Sequence, residues 1–296
     1  MASKFLSNLS KQEYDDLTDK LLEIQSNICY ICQEPIDKDL QPTNIDHIIP
    51  LASRGKDSDE NFAVTHESCN KSKQDANLKI ARILHFLKKI QDKVNAEDNR
   101  STSLKHILQE YNGSAFDFKF RIENHSLKYS FSEIKDNKIY EVPIFEDHLS
   151  KEKYVFLEVP LQYLFHDEII NPRGLNSSIG SLIKEFEKGN PQLHLSLARI
   201  DDNKLKIFDG QHKAVAQILL GVKKLPIRVF IEPDVDRLTE TNTNAGSTLR
   251  QIAFDKSIMR MLSGTLYHET IKRYQTDHQL AEDDYSVSEL QLIEYF

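Results

Sequence analysis

The 296-residue chain contains three cysteines, and all three fall in one pattern: Cys29-x2-Cys32, then His66-x2-Cys69. Three thiolates and an imidazole are donors that tetrahedral zinc prefers, and an x2 spacing lets both side chains of a pair turn toward one ion. An odd, sparse cysteine count argues against a disulfide framework and for a reducing, cytoplasmic setting. Residues 27–70 are turn-rich and poor in large apolar groups, so they need a staple in place of a core. Structural zinc supplies roughly 10–16 kcal/mol of apparent binding energy in small modules.

A second group of residues is interleaved with the first. Asp46 and His47 lie between the two pairs, Asn61 follows, and Asn70 comes directly after the last thiol. Adjacent residues on a strand face opposite ways, so Asp46 and His47 can take separate roles. Asp46 and Asn70 offer hard oxygens suited to Mg2+ or Mn2+. A histidine, with a reference pKa of about 6.5, suits removal of a proton from water near neutral pH.

These side chains need elements to hold them. Ser10-Lys11-Gln12-Glu13 reads as a capping box, and Leu17, Leu21, Leu22 and Ile24 continue it as a helical stripe to about Ser26. Residues 71–95 read as one helix with Leu84, Leu87, Ile90 and Val94 on a face, and the polar stretch 95–103 reads as a loop and domain boundary. The period then changes to two. Phe116, Phe118, Phe120 and Ile122 alternate with polar residues, "ENHS" turns the chain, and Leu127, Tyr129 and Phe131 alternate again, which predicts a hairpin. Farther on, strands are expected at 153–160, 194–200, 204–208 and 225–231, and helices at 177–189 and 211–221. A capped helix is expected from Ser286, and its lack of a C-terminal cap suggests the front piece of a longer protein. No internal repeat or low-complexity tract occurs.

With "CYIC", "NIDHIIPLAS", "ENFAV" and "CNKSK" in this order, residues 29–73 resemble an HNH, or ββα-metal, endonuclease motif. His66 stands where a cysteine is commoner, and Asn70 where the second histidine often stands. The resemblance implies a hairpin carrying the Asp-His pair, a loop carrying Asn61, and a helix carrying the final metal ligand. It further implies that His47 is the general base, that Asp46 and Asn70 hold the catalytic ion, and that Asn61 holds the hairpin and orients His47. Lys71 and Lys73, at the helix start, are then placed to hold the DNA backbone.

A third motif lies far from the first two. "LKIFDGQHKAVAQILLG" reads as strand, tight turn and helix, with Gly210 at the turn and a helix N-terminus whose free N–H groups suit an anion. Residues 209–213, with the upstream "NPRG" and the "NTNAG" at 242–246, resemble a ParB-like domain of the DGQHR type, Lys213 standing where arginine is usual. That resemblance implies a nucleotide pocket lined by Arg173, Asp209, Gly210, Gln211, His212 and Lys213, taking a nucleoside triphosphate. No Walker A motif is present, which excludes an ordinary P-loop NTPase.

Composition bounds the rest. The formal net charge is -8, unusual for a nucleic-acid binder, yet residues 71–93 hold seven lysines and arginines against two aspartates. No long apolar run suggests a signal peptide or membrane span. The expected fold class is α+β: a zinc-stapled ββα nuclease domain over 1–98, a hairpin-rich connection over 99–150, and a mixed α/β ParB-like domain over 151–296. The expected function is metal-dependent DNA endonuclease, regulated by a nucleotide- or DNA-sensing domain as in a restriction or anti-phage effector, a homo-oligomer being compatible with it. The competing expectations are a DNA-binding protein with structural metals only, and a ParB-like NTPase regulator with a vestigial HNH module.

Overall fold

The computed structural model describes residues 3–73, 76–98, 101–112, 115–131, 138–176, 178–244 and 268–279. The chain forms two compact units, Met1–Glu232 and Pro233–Phe296.

The first unit opens with a short helix α1 (Lys4–Ser7) and the amphipathic helix α2 (Lys11–Ile24). Ser10 and Glu13 close the expected capping box on α2, and Leu21 and Leu22 are buried. Ile24 is not part of that stripe: it lies in the last turn and is 70% exposed. Strands β1 (Thr43–His47) and β2 (Phe62–His66) pair antiparallel, with Asp46 opposite Ala63 and His47 opposite Phe62. Helix α3 (Glu67–Ser72) follows β2 directly and packs on both strands, completing a ββα unit.

The single helix expected over 71–95 is two helices. Helix α3 ends at Ser72, and α4 (Leu78–Asp98) starts after a break in which the Asn77 side chain accepts from the Ile80 backbone N–H. This is an asparagine acting as an N-cap, a signal the apolar stripe alone does not carry. Helix α4 serves two cores. Leu78 and Ala81 pack with Leu21, Ile31, Ile45, Phe62 and Val64 of the ββα region, whereas Ile80, Leu87, Ile90 and Val94 pack into a larger core that runs on to Ile231.

That larger core lies under a six-stranded mixed sheet. Its elements are β6 (Phe145–Glu146), β7 (Lys153–Pro160), β8 (Leu164–His166), β9 (Ser196–Asp201), β10 (Lys204–Asp209) and β11 (Lys224–Ile231), in the spatial order β6-β7-β11-β9-β10-β8. Alternate residues such as Val155, Leu157, Ile227 and Val229 face the core, as period-two patterning requires. Helices α5 (Leu104–Asn112), α6 (Ile179–Glu187) and α7 (Gln211–Leu219) contribute Ile107, Ile183 and Ile218 to the same core. A small sheet of β3 (Lys119–Glu123), β4 (Ser126–Ser130) and β5 (Tyr140–Pro143) adds Leu127 and Tyr129.

The hairpin expected from Phe116 is shorter at its start. The Phe116 and Phe118 backbone N–H groups donate to Gln162 and Asn203 instead of to a partner strand, so pairing begins at Lys119. The strands and helices expected between 153 and 231 are present within a few residues of their predicted bounds. In the second unit, residues 235–244 are helical and a helix His268–Asp277 buries Ile271 and Tyr274. The helix expected from Ser286 and the end of the 242–246 stretch lie outside the described residues. No helix among those described is long and apolar enough to cross a membrane.

Candidate functional site

The turn after α2 builds the first half of a sulfur cluster. Ser26, Asn27 and Gln33 take positive φ, and Cys29 N–H donates to Glu34 O while Gln33 N–H donates to Cys29 O. This tight knuckle turns Cys29 and Cys32 inward, and Tyr30 N–H to Val64 O fastens it to β2. The Gln25 side chain reinforces the join, bonding Val64 through both its amide nitrogen and its oxygen. His66 ends β2 and Cys69 sits on α3, so the second half straddles a strand end and a helix start.

The four ligand atoms of Cys29, Cys32, His66 and Cys69 all lie within 4.8 Å of one another. His66 Nδ1 is 3.4 Å from Cys32 Sγ and 3.9 Å from Cys69 Sγ. A tetrahedral zinc with Zn–S bonds of about 2.3 Å needs donors roughly 3.8 Å apart, so the set suits the ion with small adjustment. His66 Nε2 lies 3.2 Å from the Pro35 carbonyl, to which it can donate its proton, leaving the Nδ1 lone pair for a metal. In the protein alone, burial and the neighbouring Cys29 and Cys32 push the Cys69 thiol up to about 12. Among the described residues no other group of three or more His, Cys, Asp or Glu gathers in this way.

The second cluster lies at the end of β1. His47 is buried, and its ring packs edge-on against Phe62 at 4.8 Å. His47 Nε2 is 3.0 Å from Asp57 Oδ1, and Nδ1 is 3.9 Å from Asp46 Oδ1. Asp46 is partly exposed, and its Oδ2 is 3.0 Å from Lys73 Nζ. Asn70, on α3, has a buried side-chain oxygen with no hydrogen-bond partner. An unmet buried acceptor is costly, and a cation is one species that would satisfy it. A carboxylate and an unpartnered amide oxygen are a donor set that fits Mg2+ or Mn2+.

Asp57 has no counterpart in the residues singled out from sequence. Besides His47, it accepts from Ser3 Oγ at 2.5 Å and from the Lys4 and Phe5 backbone N–H groups at 2.9 and 3.0 Å. The Ser3 hydroxyl, the Phe5 amide and His47 hold its carboxyl down to about 2. Its sequence position carries no signal, because Ser3, Lys4 and Phe5 lie more than fifty residues away in the chain.

Asn61 acts differently from the expectation. Its side chain accepts from Ile49 N–H and donates to Ile49 O and Lys56 O, at 2.8–2.9 Å. It therefore pins the loop between the strands and makes no hydrogen bond to His47. Any influence on His47 runs through the loop that carries Asp57. Gly55 makes the loop closure feasible, since a Cβ there would lie 1.9 Å from Ile49 O and 2.9 Å from Asn61 Nδ2. Lys71 pairs with Glu67 at 2.9 Å on the exposed side of α3. Thus Lys73, and not Lys71, adjoins Asp46.

The 209–213 motif forms the expected turn. Strand β10 ends at Asp209, Gly210 takes φ +75, and α7 begins at Gln211. A side chain at Gly210 would meet Ser196 within 2.9 Å. Gln211 is buried; its amide donates to Arg173 O, and its side-chain oxygen has no partner. His212 Nε2 accepts from Asn176 N–H, and burial, with Arg173 nearby, lowers its pKa. Asp209 and Arg173 are exposed. The turn thus gathers Arg173, Gln211 and His212.

No curated protein and no solved structure matches the chain. The ββα unit, its sulfur cluster and the His47 end of β1 nevertheless fall inside one recognised segment: residues 29–76 match the family model described as HNH endonuclease.

Proposed function

We propose that this protein is a metal-dependent DNA endonuclease whose catalytic centre is the His47 end of the ββα unit. The observation that carries the reading is the ordered imidazole. With Nε2–H donating to Asp57, Nδ1 holds the lone pair and points to the side on which Asp46 lies. In this role His47 takes a proton from water at Nδ1, and the Nε2 bond to Asp57 stabilises the resulting imidazolium. Asp57 is a positioning residue. Asn61 keeps the Ile49–Lys56 loop closed and so keeps Asp57 in place. Asp46 and Asn70 would hold Mg2+ or Mn2+, which supplies charge neutralisation at the scissile phosphate. Lys73, beside Asp46, and Lys71, on the outer side of α3, supply cations for the DNA backbone. Cys29, Cys32, His66 and Cys69 hold zinc as a staple, with no part in the chemistry.

The regulatory part of the proposal rests on the 209–213 turn. The exposed Arg173 and the N-terminus of α7 support an anion site there, read as one for a nucleoside triphosphate. The ParB-like resemblance, the cysteine-based cytoplasmic setting and the restraint implied by a net charge of -8 support a restriction or anti-phage effector held off host DNA until triggered.

The deciding experiment is plasmid cleavage with added Mg2+ or Mn2+, wild type against His47→Ala. Undiminished nicking by a clean His47→Ala preparation rejects the assignment.

A further inference from the structure

Helix α5 lies along β8 at the edge of the large sheet. Hollows of about 520 and 600 Å3 adjoin there. Both are lined by Lys105, Gln109, His166 and Glu168, so they form one continuous cleft. None of the lining residues belongs to the ββα unit or to the 209–213 turn.

His166 is the unusual member. It is 9% exposed, and neither ring nitrogen makes a hydrogen bond. The Asn171 backbone adjoins one of them. Buried polar groups are seldom left so. Burial pushes this imidazole below the usual histidine range, so at neutral pH it presents one N–H donor and one lone pair. Gln109 offers the same pairing from its amide.

The walls narrow the ligand further. Leu108, Leu164 and Phe165 give the lining an apolar part. Lys105 is paired with Glu168 and Lys206 with Asp201, whereas Lys204 sits 5.6 Å from the Phe165 ring centre and makes no ion pair among the described residues. A simple inorganic anion fails, because it has nothing to give the imidazole lone pair. A lipid chain leaves both nitrogens unmet. A metal ion fails because, among the described residues, His106, Glu97 and Glu168 line the same cleft but do not gather with His166 into a ligand group. What remains is a flat heteroaromatic molecule whose edge carries a donor beside an acceptor and which bears an anionic group. Pockets of this volume suit such ligands.

We propose that this cleft binds a nucleoside monophosphate, free or as one unit of a nucleic-acid strand: base edge on His166 and Gln109, base face on the Leu108–Phe165 wall, phosphate on Lys204. The site is separate from the nuclease centre, and its far end, at Pro172 and Gly174, adjoins the Arg173 of the triphosphate site proposed above.

The test is calorimetric titration of the full chain without added divalent ions. The probes are the four nucleoside monophosphates, adenosine, inorganic phosphate and a short single-stranded oligodeoxyadenylate. At least one monophosphate should bind, and binding should move the His166 imidazole resonances in nitrogen-15 spectra. Inorganic phosphate should not bind, and adenosine should bind at least tenfold more weakly than its monophosphate. His166→Leu should weaken binding tenfold or more while leaving the melting temperature equal or higher, because it removes unmet polar atoms. Lys204→Ala should weaken the monophosphate and leave adenosine unchanged. Oligonucleotide binding at least tenfold tighter than the monomer, with the same dependence on His166, identifies a strand as the source; equal binding identifies the free nucleotide. If no probe binds at millimolar concentration, or if binding is lost in Lys213→Ala and kept in His166→Leu, the proposal is wrong. The nuclease reading survives either result, since it is measured by cleavage.

Discussion

A single carboxylate joins the N-terminal segment to the proposed base. Asp57 takes the first backbone amides of α1 on one oxygen and His47 on the other. His47→Ala should lower cleavage by about 100- to 10,000-fold, the usual contribution of a general base, with DNA affinity nearly unchanged. Asp57→Ala should cost about tenfold in kcat, with KM nearly unchanged, because a ring free to turn is misaligned and not absent. Asp57→Asn can still accept from Nε2 and should recover most of that loss. Acid provides a separate check. The folded-state pKa of Asp57 is depressed to about 2, below an ordinary value of about 3.9. Its contribution is therefore fully present above about pH 4 and is lost as the pH falls toward 2. The Lys4 and Phe5 amide resonances should shift over that window and should be flat from pH 5 to 8. The Asp46-His47 pair and Asn70 could be singled out in the sequence because the pair lies between the two Cys/His half-sites and Asn70 directly follows Cys69. Asp57 was not, since what singles it out is contact with Ser3, Lys4 and Phe5, which spacing cannot show.

The ββα unit has little regular structure to hold it together. Strands β1 and β2 are five residues each, and α3 is six residues long. Elements of this length are marginal alone. Stripping zinc with a strong chelator, or replacing Cys69 by Ser, should raise hydrogen exchange first over residues 27–72 and later over the large sheet. An active, unstripped preparation without zinc would refute the staple. The loop between the strands has its own latch, and Asn61→Ala should destabilise it by about 1–3 kcal/mol by stranding the Ile49 and Lys56 backbone groups. Its cleavage defect should resemble that of Asp57→Ala. Element types were readable here because caps and periodicity are local. The α3–α4 break was missed because lysines and apolar residues run across it, and the Asn77 cap that starts α4 is not part of the apolar stripe. The early end of the hairpin was missed because Phe116 and Phe118 spend their backbone donors on residues 162 and 203, which no local pattern reveals.

Two proposed anion sites share the first unit with the nuclease centre. A ligand that binds the 209–213 turn should change cleavage by about 5- to 150-fold if it couples with the usual 1–3 kcal/mol. Assaying cleavage with each triphosphate and with none, in wild type and Lys213→Ala, measures it. A response unchanged by Lys213→Ala, or no triphosphate binding at millimolar levels, would reduce the turn to a helix cap. Much of the architecture between 153 and 231 could be anticipated from alternating apolar residues and the Gly210 and Gly221 turns. The order of the six strands could not, because β11 enters between β7 and β9 through pairings that span most of the unit. The sharing of α4 was equally hidden: its apolar stripe announces a buried face and is silent about two of them.

That shared helix bears on how such a protein could be assembled by recombination. Ile80, Leu87, Ile90 and Val94 leave with the nuclease segment if a gene is cut near residue 98, yet their packing partners stay behind. A transplanted segment would carry a bare apolar stripe, and the donor would keep a matching hollow. Replacing Leu87 by Ala in the whole protein should already cost about 2–5 kcal/mol. A viable exchange at this seam must bring compensating changes on both sides at once, so the polar stretch after α4 that looks like a hinge in the sequence is a poor place for lineages to trade parts.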